Sequence, residues 1–146
     1  MKLPPDVQFV KEPRLLIWRP HGVINEGAVN RVIRVLGNLE SRAGEGFNRF
    51  SDTLSAEAID LNFKFIFHVS LYRRLSYVGP PVKSAILVAE PNFAHYSKMH
   101  ALLTQGSMIK VRIFEQRHAA AKWLEVPNEL LAAPSDSKPK PNEQCL

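Results

Sequence analysis

One short stretch narrows the folds open to this chain more than any other: Ser84-Ala85-Ile86-Leu87-Val88-Ala89. It is nearly all apolar and bounded by breakers and a helix start. A strand of this kind has no water-facing side, as in the centre of a parallel sheet buried on both faces. Gly79-Pro80-Pro81 breaks the chain before it, and Pro91 after it suits the first turn of a helix. A buried strand feeding a helix is the unit of an α/β domain.

The rest of the chain supplies more such units. Val7 to Val10 and Leu15 to Trp18 read as two strands joined by a tight turn at Pro13. Asn25 is a good N-cap, and Val29, Val32, Ile33, Leu36 and Leu39 follow at helical spacing, so a helix is expected over 25–43. Phe47 to Ser51 reads as a strand. Phe93, Tyr96, Met99, Leu102 and Leu103 give a helix ended by Gly106. Ile109, Val111 and Ile113 alternate with Lys110 and Arg112, as in an edge strand. A last helix is expected over 115–124, with Ala119, Ala120, Trp123 and Leu124 inward and Trp123 a core residue. Residues 128–146 carry Pro134, Pro139 and Pro141 among polar residues and are expected to be a mostly disordered tail, beyond one domain at 1–127.

The middle of the chain is ambiguous. Leu61, Phe63, Phe65, Phe67, Val69 and Leu71 are apolar at every second position, which by period alone favours a strand. Against this, Ser55-Ala56-Glu57-Ala58 looks like a helix start, and Asp60, Lys64 and His68 form a polar stripe at helical spacing. A helix here would carry apolar residues on nearly every other side.

Composition excludes several classes. At 146 residues with 45% hydrophobic and 23% charged residues, the chain is neither disordered as a whole nor collagen-like. No uncharged apolar run is long enough to span a bilayer, so no integral membrane association is expected. The opening Met1-Lys2-Leu3-Pro4-Pro5-Asp6 lacks the apolar segment of a signal peptide, and the single cysteine, Cys145, forms no intrachain disulfide. A cytoplasmic protein is expected. The net charge is +5, but the basic residues are scattered with no run longer than two, so no nucleic-acid partner is expected.

Chemical motifs are scarce. The histidines are His21, His68, His95, His100 and His118. His95 and His100 are five apart, about 140° around a helix, so they do not converge on a metal. No serine elbow and no phosphate-cradling glycine loop in the right context is present. Asp52, Glu90 and Glu115 each end a different strand, the edge where ligands sit in open α/β sheets. The simpler reading is that each offsets the positive end of the next helix. Arg73-Arg74-Leu75-Ser76-Tyr77 weakly resembles a kinase target, and a solvated helix end favoured by two cations is the better reading. No catalytic residue, cofactor or metal is therefore assigned.

Three segments resemble the STAS-like domains, the family of anti-sigma-factor antagonists and their stand-alone bacterial relatives. They are Phe47-Asn48-Arg49-Phe50-Ser51-Asp52, then Pro81 to Ala89, then Val111 to Phe114 with Ala119 to Leu124. The similarity covers roughly 7–127. It implies a mixed, mostly parallel five-stranded sheet with four helices, and a helix rather than a strand over 56–75. The family's regulatory motif is Asp-Ser-Ser-Gly at a helix N-terminus. This chain offers only Asp52, Thr53 and Ser55 there, so they are candidates for a regulatory site and better candidates for helix caps.

On that helix, Phe63, Phe65, Phe67 and Tyr72, with Tyr77 at its exit, exceed what one buried face can hold. The surplus is expected to meet a second copy of the chain or an unidentified regulatory protein, making a non-enzymatic, homodimeric interaction module. The alternative is a small apolar ligand or lipid held between helix and sheet, as in the architecturally related CRAL-TRIO lipid carriers, for which this chain is short.

Overall fold

The structure is a computed structural model, and it describes residues 2–42 and 44–133. Strands β1 (Val7–Val10) and β2 (Leu15–Trp18) are followed by β3 (Gly22–Asn25) and helix α1 (Glu26–Arg42). Then come β4 (Asn48–Asp52), β5 (Ala56–Asp60), α2 (Phe63–Ser76), β6 (Val82–Leu87) and α3 (Pro91–Leu103). The described chain ends with β7 (Ile109–Phe114), α4 (Arg117–Leu124) and the single turn α5 (Asn128–Leu131).

The main sheet has five strands in the order β1-β2-β4-β6-β7. β1 runs antiparallel to β2, and every other pairing in it is parallel. This is the mixed, mostly parallel sheet expected. The apolar run at 84–89 supplies β6, whose residues Ser84 to Leu87 are all buried.

Side-chain alternation divides the core in two. Leu16, Trp18 and Ile86 face one side with Val32 and Val35 of α1 and Phe93 of α3. Leu15, Ile17, Phe50, Ala85 and Leu87 face the other with Ala120, Ala121 and Leu124 of α4 and Leu131 of α5. The architecture is therefore three layers, with α1, α2 and α3 over one face and α4 and α5 over the other.

Three expectations need correction. Residues 56–60 are not the start of the second helix but strand β5, which pairs in parallel with β3 as a separate two-stranded sheet. The helix begins at Phe63, where Asn62 Oδ1 accepts from Phe65 N at 2.9 Å. Residues 128–133 also fold: α5 forms, and Leu131 is fully buried against the sheet. The remainder of the proposed tail, 134–146, lies outside the described residues. Trp123 is half-buried rather than core, its ring 5.6 Å from Phe114 and covered by Lys83 Nζ at 5.4 Å.

Other local readings hold in detail. Asn25 Oδ1 accepts from Ala28 N at 2.9 Å and caps α1. Glu90 caps α3, its two carboxylate oxygens accepting from Asn92 N at 3.1 Å and Phe93 N at 2.7 Å, with Pro91 opening the helix.

Candidate functional site

Asp52 stands at the C-terminal end of β4, 2% exposed. Its Oδ2 accepts from Arg19 Nη1 at 2.5 Å and from Arg117 Nε and Nη2 at 3.2 and 3.0 Å. Arg19 Nη2 goes on to the carbonyls of Leu131 and Ala132 at 2.9 and 2.8 Å. Asp52 is thus the hub that fastens α4 and α5 to the sheet. Asp52 does not cap a helix, and neither do its neighbours. Thr53 Oγ1 donates to Leu87 O at 2.6 Å, and Ser55 is exposed beside β5. Since a strand follows them, the helix-cap reading of Asp52, Thr53 and Ser55 is corrected. The strand-end acids also have separate duties: Asp52 is held by two arginines, Glu90 caps α3, and Glu115 is exposed.

The aromatic helix presents a different surface. The face of α2 that is buried carries Ile66, Ser70 and Arg73. Phe63, Phe67 and Tyr72 lie outside, at 55%, 41% and 58% exposure, while Phe65 is half-buried. Leu75 and Val78 extend the exposed apolar surface past the helix end. Phe63 rests edge-on against Tyr96 of α3, ring centroids 4.9 Å apart. The arginines of the kinase-like segment are fasteners. Arg73 Nη2 donates to Glu40 at 2.5 Å, and Arg74 Nη1 reaches Leu103 O and Gln105 O at 3.2 and 2.6 Å.

Beneath α1, α2 and α3 lies a cavity of about 130 Å³ on the sheet face. Leu16, Val32, Ile66, Ile86 and Phe93 give it apolar walls, and Arg49, Ser51 and Ser84 put polar groups on its floor. Arg49 is nearly fully buried, at 4% exposure. Its Nη1 donates to Glu40 Oε2 at 2.7 Å and its Nη2 to Phe47 O at 3.0 Å. Glu40 Oε2 therefore serves both Arg49 and Arg73. Desolvation pushes the Arg49 pKa down, against the pull of Glu40, and it pushes Tyr77 up. His100, also in the cavity wall, sits 2.8 Å through Nδ1 from Ser70 Oγ. Burial first, and the charge of Arg73 second, lower it to about 4.

Sequence reasoning missed this cluster. A signal was present: Phe47, just ahead of β4, and Arg49 and Ser51 within it alternate onto one face, and a charged residue on a face that must be covered is anomalous. Among the described residues, no group of three metal-ligating side chains converges, and no helix is long and apolar enough to cross a membrane.

The sheet order, the lone antiparallel edge and the helices on both faces define a STAS-like α/β fold. A solved structure agrees: that of an uncharacterised protein of the DUF3478 family with a SpoIIAA-like fold, from Shewanella loihica PV-4. It superposes with a TM-score of 0.52 over 81% of this chain and 90% of that one, at 13% sequence identity. No protein-family model matches the chain, and no curated protein matches it either.

Proposed function

We propose that the domain is a non-enzymatic interaction module that docks a second copy of itself through the outer face of α2. The observation that carries this reading is the exposure of Phe63, Phe67 and Tyr72 on one helix, continued by Leu75 at 77% and Val78 at 92%. Large apolar side chains gathered on one element, while Ser70 and Arg73 take the buried positions, are costly in water and suit an interface. A two-fold axis lets one such face cover its own copy, and a regulatory protein with an apolar groove would use the same residues.

Sedimentation of the purified chain tests the proposal. A dimer is expected at tens of micromolar, about −6 kcal/mol of association. Phe67→Glu combined with Leu75→Glu should return a folded monomer, because both positions face water in the single chain. A wild-type chain that sediments as a monomer throughout that range refutes self-association.

A further inference from the structure

Among the described residues, two polar atoms of cavity-lining residues have no hydrogen-bond partner: Arg49 Nε and Ser97 Oγ. Both residues are buried, at 4% and 3% exposure. An unpaired polar atom shut away from water is unfavourable, and more so when it belongs to a charged group. The guanidinium does not relieve the cost by losing its proton.

Charge points the same way. Arg49 and Arg73 bring two positive groups to the cavity wall, and they share one carboxylate, Glu40. Among the described residues, none that lines the cavity is acidic, and burial with the nearby Arg73 charge lowers the pKa of His100 to about 4. Stacking on Phe47 at 4.5 Å and on Tyr77 at 5.7 Å softens the excess without cancelling it. A buried net positive charge beside apolar walls fits an anion with an apolar body.

Volume sets the size of that body. The space is about 130 Å³, slightly below the ~150 Å³ of an engineered apolar cavity that admits benzene. A ring or a short alkyl chain matches that volume, and a long lipid tail exceeds it.

We propose that this cavity binds a small monocarboxylate with an apolar body of about benzene size, its carboxylate accepting from Arg49 Nε. Ser97, which also lines the cavity, holds the second unpartnered polar atom, its buried Oγ. Arg49 is prepared for this role. Glu40 and the Phe47 carbonyl hold its two terminal nitrogens, which leaves Nε as the donor without a duty. The site is separate from the docking face, since it lies under α2 rather than outside it.

Titration of the full chain with benzoate, hexanoate, dodecanoate and benzyl alcohol, followed through isoleucine methyl resonances, tests the proposal. Benzoate and hexanoate should shift Ile66, Ile86 and Ile109. Benzoate should bind roughly ten-fold or more tighter than the neutral, similarly sized benzyl alcohol, as expected for a charge-assisted bond. Arg49→Gln should erase that difference. Should Arg49→Gln fail to fold, Ser97→Ala removes one small hydroxyl, and it should weaken benzoate while sparing benzyl alcohol. Methyl resonances unmoved by benzoate and hexanoate at about ten millimolar, a binding energy near −3 kcal/mol, would overturn the site. Equal affinity for benzoate and benzyl alcohol would overturn the anion. Dodecanoate binding as tightly as hexanoate would overturn the size limit.

Discussion

Ser70 Oγ of α2 and His100 Nδ1 of α3 lie 2.8 Å apart and join the two helices beneath their outer surface. Enclosure, reinforced by Arg73, lowers the histidine pKa to about 4. An unfolded chain takes up that proton near pH 6.5. Between these values the unfolded state holds more protons than the folded one, so stability rises with pH across the window. The contribution is full above pH 6.5 and is lost as pH falls toward 4. It amounts to at most about 3 kcal/mol, and less in practice because the residue keeps some access to solvent. Urea unfolding between pH 4.5 and 7 should therefore show a flatter pH dependence for His100→Gln than for the wild type. Parallel curves would mean that the histidine is not held neutral.

Removing the Asp52 carboxylate should be among the most damaging single changes outside the apolar core. Asp52→Ala leaves Arg19 and Arg117 facing each other without the acid that both address. Breaking one member of a buried ion cluster costs about 3–5 kcal/mol. The loss should be felt far along the chain, because Arg19 also holds the Leu131 and Ala132 carbonyls. Chemical denaturation gives the cost, and faster amide exchange over 128–132 would locate it. An Asp52→Ala chain with wild-type stability and unchanged exchange would show that the cluster fastens nothing.

The parallel sheet was legible because its code is short-range: β6 runs into the apolar stretch Ala85 to Ala89, and β7 alternates. Helix α1 was equally plain, with a capping asparagine and a regular stripe. The second helix was not. Its buried positions are Ile66, Ser70 and Arg73, two of them polar, and its phenylalanines lie mostly outside. That inverts the usual pattern, so the apolar residues produced a false period of two. What makes Ser70 and Arg73 tolerable inside is His100 and Glu40, partners 30 and 33 residues away that no local window contains. Strands β3 and β5 escaped for a related reason, since among the described residues they pair only with each other. The cavity was illegible for the same cause. Its polar floor depends on which residues the β4–β6 register sets side by side, Arg49 beside Ser84 among them.

The true start of α2 has a direct thermodynamic signature. Asn62 Oδ1 accepts from Phe65 N at 2.9 Å, whereas Ser55 is exposed ahead of β5. Loss of an N-cap side chain costs about 1 kcal/mol. Exposed positions away from such features change stability by less than about 0.5 kcal/mol. Asn62→Ala should therefore lower the unfolding free energy measurably, and Ser55→Ala should leave it nearly unchanged. The reverse ranking would restore a helix beginning near residue 55.

The two tryptophans should report different surroundings. Trp18 is 6% exposed, and its indole Nε1 donates to Asp6 at 3.0 Å. Trp123 is half-buried, with Lys83 reaching over its ring and donating to its backbone carbonyl at 2.8 Å. A fully enclosed tryptophan costs about 3–5 kcal/mol on truncation to alanine. For Trp123 about 2 kcal/mol is expected, because part of the ring already meets water and the lysine stem can settle over the gap. Trp123→Phe leaves Trp18 as the sole emitter, and its fluorescence should lie to the blue of Trp18→Phe, which reports Trp123 alone. If the two spectra coincide at the blue end, α4 packs Trp123 more tightly over Phe114 than this arrangement allows. The cost of Trp123→Ala should then rise to the full core value.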